Sequence, residues 1–275
     1  MSSEAQILIR LSDLLAQRGA PVDRVLDAIQ RAGVESFFIA VSAFSDRILL
    51  LMPSRPGVIQ ALVPAYSGPE LPADALLRAV IDGTQISAGV TITDNRGQRD
   101  IVGELVPAAV RDRWLSTVQH MLDLAPSSIM NFTRYLTASA ASIAIEYPER
   151  AGEIEERFVK GVDELAQRVG VSSAQRALWS TLYPLARTNV ALSIATECDA
   201  RGPRPVLDIL YGAATWDRAI DVTNAVLGKT SVAARETAAK LGMIAGAMEI
   251  DEPRGLEIVL GAGEHPDVLV WLAPR

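Results

Sequence analysis

The chain has 275 residues, 49% of them hydrophobic and 21% charged, so it is long and apolar enough to fold around one large core or two ordinary ones. Its 26 Lys and Arg against 33 Asp and Glu give a net charge of −7, which argues against binding to nucleic acid or to an anionic membrane surface. One cysteine and two histidines exclude an internal disulfide and imidazole-rich metal sites. We expect no metal and no cofactor.

The N-terminal part of the sequence predicts a helical hairpin followed by strands. Apolar residues first recur at helical spacing, and Pro21 then opens a second helix that ends near Gly33. Runs rich in Phe, Ile, Val and Leu follow, which are typical of buried strands. The predicted elements are helices at 3–19, 21–33 and 71–81 and strands at 36–41, 47–52, 89–93 and 100–105.

The middle of the chain returns to a helical period, and the C-terminus ends in a predicted β-hairpin. Both faces of this hairpin are apolar, so we expect it to join the N-terminal strands. The predicted fold class is α+β, predominantly α, with an N-terminal mixed region completed by the C-terminal hairpin and a helical bundle between. The predicted domains are 1–106 plus 252–275, which is mixed α+β, and 107–251, which is the bundle. The predicted helices of the bundle are 107–124, 127–146, 149–169, 173–199, 204–227 and 231–248, and the hairpin strands are 256–260 and 267–272.

Polar residues on two small-residue helices of this bundle are the candidate ligand-binding site. Arg and Glu at the centre of a bundle must pair or line a polar cavity, because an isolated buried charge is costly. In such a cavity an arginine binds an anionic group and a glutamate acts as acid or base. Structural ion pairs between helices are the alternative. The candidate residues are Arg134, Glu146, Arg187, Asn189 and Glu197.

Two local similarities in the sequence have ordinary structural interpretations. Residues 141–146 resemble residues 192–197, which indicates two helices of similar composition. Residues 164–172 resemble the first helix and turn of a helix-turn-helix. That match departs at Arg176, where such motifs place an apolar residue, and acidic residues surround it.

No motif for a metal site or a nucleophile is present, so three classes of function stay open. The first is a non-enzymatic adaptor or regulatory protein that binds a protein partner or itself, as a homodimer. The alternative is a cofactor-independent enzyme or small-molecule sensor with a polar pocket in the helical domain. The third is a helix-turn-helix transcription regulator. Charges within the first apolar segment and within the most hydrophobic stretches predict a cytoplasmic protein with no membrane span.

Overall fold

The computed structural model describes residues 3–15, 20–64, 71, 74–94, 129–135, 140–147, 163–164, 167, 172–182, 190–199, 202–212, 215–228, 231–248, 250, 252–260 and 267–272. Its helices are α1 (Ser3–Leu14), α2 (Ala20–Arg31), α3 (Pro56–Leu62), α4 (Ser173–Leu182), α5 (Trp216–Leu227) and α6 (Val232–Met248). Its strands are β1 (Phe38–Ser42), β2 (Ile48–Pro53), β3 (Leu76–Asp82), β4 (Gln85–Asp94), β5 (Ile129–Tyr135), β6 (Ala140–Tyr147), β7 (Val190–Asp199), β8 (Gly202–Gly212), β9 (Gly255–Leu260) and β10 (Asp267–Leu272).

These ten strands form a closed antiparallel barrel. Each strand pairs with the next one along the chain, and β10 pairs with β1 to close the ring. Because neighbouring strands are antiparallel, the C-terminal ends of the odd-numbered strands and the N-terminal ends of the even-numbered strands lie at one end of the barrel, which we call the hairpin end.

Helices cover the outer face of this barrel. Buried apolar residues of α1, α2, α3, α5 and α6 share one hydrophobic core with alternate residues of the strands, such as Ile39, Leu50 and Ile258. Five helices do not fit inside ten strands, so this shared core lies outside the barrel. The turn between α5 and α6 contains Gly228 at φ 83°, a left-handed conformation that favours glycine. Thr215 caps α5 by accepting a hydrogen bond from the backbone N–H of Arg218 at 3.1 Å.

Two polar side chains, Asp267 and Lys240, stabilise the hairpin end. The Asp267 carboxylate of β10 accepts hydrogen bonds from the Ser42 hydroxyl and from the Arg47 guanidinium, both at 2.6 Å. The Lys240 ammonium of α6 donates to the backbone oxygen of Ser42 at 3.0 Å and lies 3.3 Å from the Asp46 carboxylate. Burial lowers the pKa of Lys240, and the neighbouring Asp46 opposes this effect. The contacts connect β10 to β1 and helix α6 to the first hairpin turn.

The predicted class, predominantly helical with a central bundle, is wrong. Strands β5 and β6 occupy the predicted helix 127–146, and β3 occupies most of the predicted helix 71–81. The predicted helices 173–199 and 204–227 each contain a helix and a strand, α4 with β7 and β8 with α5. Alanine at alternate positions of β6 and β7 favours helices by propensity, and it masked the period of two. The predicted helix 107–124 lies outside the described residues.

Other predicted elements agree with the structure. Helices α1, α2 and α6 and strands β1, β2 and β4 lie within or close to their predicted ranges. The C-terminal hairpin is observed to pair with the N-terminal strands, with Ile39 opposite Leu272 and Ser42 opposite Leu269. Strands β4 and β5, on either side of the predicted boundary at residue 106, pair in the same sheet.

Substitution of two adjacent leucines of β2 tests which face of the barrel contributes more to stability. Leu50 is fully buried in the outer core, whereas Leu51 points to the inner face and is half-buried. We expect Leu50→Ala to lower the free energy of unfolding by about 2–5 kcal/mol and Leu51→Ala by about 1 kcal/mol, as measured by urea denaturation. Equal losses would contradict the assignment of the two faces.

Candidate functional site

The interior of the barrel is accessible to solvent. Outer-face residues of the strands are buried, whereas several of their inner-face neighbours are only half-buried. These half-buried inner-face residues include Phe38, Leu51, Val80, Val259 and Trp271. Eight strands are enough to enclose a side-chain-filled or single-ligand interior, so ten strands leave room for a small molecule. Accessible apolar surface in a concave site is typical of a ligand-binding cavity.

One side of this interior has an apolar lining. Ala40, Leu49 and Leu269 form a buried cluster that is separate from the outer core. Val80, Val259 and Trp271 pack against the same cluster. The cluster spans β9, β10, β1, β2 and β3, so it gives this wall of the interior a continuous apolar surface.

A buried carboxylate interrupts that apolar wall. Glu257 lies in the middle of β9, and only 7% of its side chain is exposed. Its Oε2 accepts a hydrogen bond from the indole Nε1–H of Trp271 at 3.0 Å. The indole N–H compensates part of the cost of burying the carboxylate. Glu257 is therefore an anchored hydrogen-bond acceptor inside the barrel.

An arginine reaches this carboxylate from the other side of the interior. Nη2 of Arg78 in β3 lies 3.9 Å from Oε1 of Glu257. Strands β10, β1 and β2 separate β9 from β3 in the sheet, so the ion pair crosses the interior. The distance exceeds that of a hydrogen bond, so the attraction is a charge–charge interaction. About a third of the Arg78 side chain, 32%, is exposed, and a dissolved anion has access to it.

A second arginine lies at the barrel end opposite the hairpin end. The guanidinium carbon of Arg254 lies 4.4 Å from the centre of the Phe38 ring, in cation–π contact. The backbone N–H of Arg254 donates to the backbone oxygen of Trp271 at 2.7 Å, which fixes the chain just before β9. Phe38 is opposite Leu51, and Leu51 is opposite Arg78. The inner-face row Phe38–Leu51–Arg78 thus ends in an arginine on β3, and Arg254 lies over the Phe38 ring at its other end.

Two of the predicted ligand-binding residues occupy inner-face positions. Glu146 in β6 is opposite Ser193 of β7, and Glu197 in β7 is opposite Ser142 of β6. The register row through Ser193 continues to Val259, whose side chain lines the interior. Glu146 and Glu197 are therefore at positions on the same face of the sheet as Glu257.

The structure separates Arg134 from these two residues. Arg134 in β5 is opposite Val90, a residue of the outer core, so Arg134 occupies an outer-face position. Arg187 and Asn189 lie outside the described residues. The register does not bring Arg134 onto one face with the glutamates, as the predicted pocket requires.

The sequence similarity between residues 141–146 and 192–197 has a different origin from the one predicted. The two segments are neighbouring antiparallel strands, with Ala144 opposite Ala195 at the centre. Each serine is opposite the glutamate of the other strand. The similarity reflects two strands with the same alternation of small or polar inner positions and mostly larger outer positions.

Sequence reasoning missed Glu257, Arg78 and Trp271. Glu257 and Trp271 were assigned to apolar strands, and Arg78 to a helix. The available signal was a single charge within each of two otherwise apolar strands, 255–260 and 76–81. A charge inside a strand that is apolar on both sides indicates a buried polar site.

Comparison with solved structures identifies a matching fold. The crystal structure of 5-dimethylallyltryptophan synthase from Streptomyces coelicolor matches with a TM-score of 0.62 and 11% sequence identity, over 99% of this chain and 97% of that chain. This chain has the fold of that enzyme. The same enzyme in complex with DMASPP and Trp matches with a TM-score of 0.61 and 11% identity, over 99% of this chain and 94% of that chain. The sequence matches no protein-family profile and no curated protein.

This fold corrects the leading functional interpretations. The non-enzymatic adaptor or regulatory protein, acting as a homodimeric helical bundle, depended on a bundle that is absent from the described part of the chain, and the matching fold is that of an enzyme. The pocket of a helical domain is replaced by the interior of a barrel. The transcription-regulator interpretation is likewise overturned. Arg176, at which the helix-turn-helix match departs, forms an ion pair with Asp163 at 3.2 Å. Among the described helices, none is long and apolar enough to cross a membrane.

The Trp271–Glu257 hydrogen bond is testable by a matched pair of substitutions. Trp271→Phe keeps an aromatic ring but removes the donor to a buried carboxylate, so we expect a loss of about 1–3 kcal/mol in the free energy of unfolding. Trp216→Phe is the control, because the Trp216 indole donates to the neutral backbone oxygen of Ile250 at the same 3.0 Å. Urea denaturation of both variants gives the comparison. A loss at Trp271 no larger than at Trp216 would contradict the role given to Glu257.

Proposed function

We propose that this protein is an enzyme that transfers an isoprenyl group, of the dimethylallyl kind, from its diphosphate to an aromatic acceptor inside the barrel. The observation that carries the proposal is the pairing of a buried carboxylate, Glu257, with a partly exposed arginine, Arg78, across an accessible apolar interior. The likeness of fold to an enzyme solved in complex with DMASPP and Trp supports the choice of substrates.

The proposed reaction is an electrophilic aromatic substitution. The carbon–oxygen bond of the isoprenyl diphosphate breaks, and the diphosphate leaves with the bonding electron pair. The allylic carbon then bonds to a ring carbon of the acceptor, and the ring proton passes to a base. This chemistry requires a site that neutralises the leaving anion, shields the allylic cation from water and accepts one proton.

Described residues of the interior meet each of these requirements. Arg78, with Arg254 over the Phe38 ring, supplies positive charge for the diphosphate. Phe38 and Trp271 supply aromatic rings, whose faces attract a cation and exclude water. Glu257 accepts a hydrogen bond from an N–H or O–H of the acceptor, which enriches the ring in electrons, and it is the base for the proton that leaves.

Two expectations from the sequence stay predictions beside this proposal. One is association with a protein partner or with a second copy of the chain. The other is a location in the cytoplasm. Neither is required by chemistry in the barrel interior, which involves small molecules only.

The direct test is turnover by the purified protein. We expect incubation with dimethylallyl diphosphate and an aromatic acceptor, chosen from tryptophan, indole and a simple phenol, to release pyrophosphate. We also expect it to yield a product whose mass is that of the acceptor plus one dimethylallyl group, as measured by liquid chromatography and mass spectrometry. Absence of product with every acceptor, together with no binding of the diphosphate in calorimetry, would overturn the proposal.

Substitution of the proposed base sharpens this test. Glu257→Gln keeps an acceptor for the Trp271 indole but removes the group that takes the proton, so we expect kcat to fall by about 10²- to 10⁴-fold. Glu236→Gln removes the same charge from an exposed position on α6 and should leave kcat unchanged. A variant at Glu257 that is folded by circular dichroism and retains full kcat would refute the role of this residue.

A further inference from the structure

The ion pair between Arg78 and Glu257 connects the proposed binding sites of the two substrates. Arg78 lies 3.9 Å from Glu257, which the proposed function gives to the aromatic acceptor. The same arginine has 32% of its side chain exposed, so it is accessible to an anionic diphosphate. A guanidinium that turns toward a diphosphate must change its interaction with Glu257.

We propose that Arg78 couples the two substrates, so that binding of the diphosphate strengthens binding of the acceptor. This inference rests on the proposed function and adds an order of binding to it. With no anion present, Arg78 competes for Oε1 of Glu257, while Trp271 occupies Oε2. A bound diphosphate attracts the guanidinium by charge-assisted hydrogen bonds and leaves Oε1 to an N–H or O–H of the acceptor. Arg78 is thus a positioning residue for Glu257.

The exposure of the two side chains indicates which of them moves when the diphosphate binds. Glu257 is fixed by its burial and by the Trp271 indole, whereas Arg78 has about a third of its side chain exposed, 32%. The arginine is therefore the partner that moves. Its long side chain carries several rotatable bonds, and its 3.9 Å separation from Oε1 of Glu257 is that of a charge–charge interaction.

The chemical consequence is an ordered reaction. An acceptor that enters first meets a carboxylate whose charge is partly neutralised by Arg78. An acceptor that enters after the diphosphate meets a carboxylate with a vacant oxygen. The allylic cation then forms only when an acceptor ring is in place, which limits capture of the cation by water.

The test measures a coupling factor with two simple probes, inorganic pyrophosphate and indole. Isothermal titration calorimetry gives the Kd of indole without pyrophosphate and with saturating pyrophosphate. We expect pyrophosphate to lower the Kd of indole by at least about fivefold, and indole to lower the Kd of pyrophosphate by the same factor, because linkage is reciprocal.

Variants of the ion pair assign the coupling to its residues. Arg78→Met removes the cation and keeps most of the side-chain length, so we expect the coupling factor to fall to about one and pyrophosphate to bind more weakly. Glu257→Gln should also abolish the coupling, because the amide exerts little attraction on Arg78. Arg235→Met, which removes the same charge from an exposed position on α6, is the control and should retain the coupling. Should Arg78→Met fail to fold, Glu257→Gln carries the test alone.

The possible outcomes distinguish failure of this inference from failure of the proposed function on which it rests. If indole and pyrophosphate both bind with a coupling factor of one, the inference is wrong and the proposed function stands. If Arg78→Met retains the coupling, another residue is responsible and the inference is wrong. If neither probe binds the wild-type protein, the proposed function itself fails.

Discussion

Closure of the sheet by β1 and β10 is the constraint on which the rest of this structure depends. These strands come from opposite ends of the sequence, and their antiparallel pairing removes the two exposed edges that an open sheet would have. The Asp267 carboxylate reinforces the pairing at the hairpin end through Ser42 and Arg47. Closure also creates the interior, because an open sheet has two faces but no inside. Glu257 and Trp271 enter that interior as part of the hairpin that closes it.

In the closed barrel, the two faces of each strand have different packing environments. Outer-face residues such as Leu50 pack against helices and supply the hydrophobic core, whereas inner-face residues such as Leu51 and Val80 remain half-buried. Stability therefore comes mainly from the layer between barrel and helices. The interior contributes less to stability, so it can contain a charged group such as Glu257 without disrupting the main core.

The sequence predicts the ends of the chain far better than its middle. Helices α1, α2 and α6 have a clear helical period, and the terminal strands are rich in β-branched and leucine residues. Strands β6 and β7 instead alternate Ala or Ser with larger residues, a composition that a helix also favours. Their assignment is decided by the pairing of β6 with β7, which are separated by a long stretch of sequence, and this is tertiary information that no local window contains.

The pairing of residues in the candidate site could not be predicted from the sequence for a related reason. A glutamate between Leu256 and Ile258 signals a buried charge, but its partner is Arg78, which lies far earlier in the sequence and is separated from β9 by three strands around the ring. Only closure makes these residues neighbours across the interior. Burying a lone carboxylate costs several kcal/mol, and the Trp271 indole and Arg78 compensate it from different sides. The arginine has 32% of its side chain exposed, so under the proposed function an anion in the interior changes the charge balance of Glu257. Such a change requires no rearrangement of the outer core.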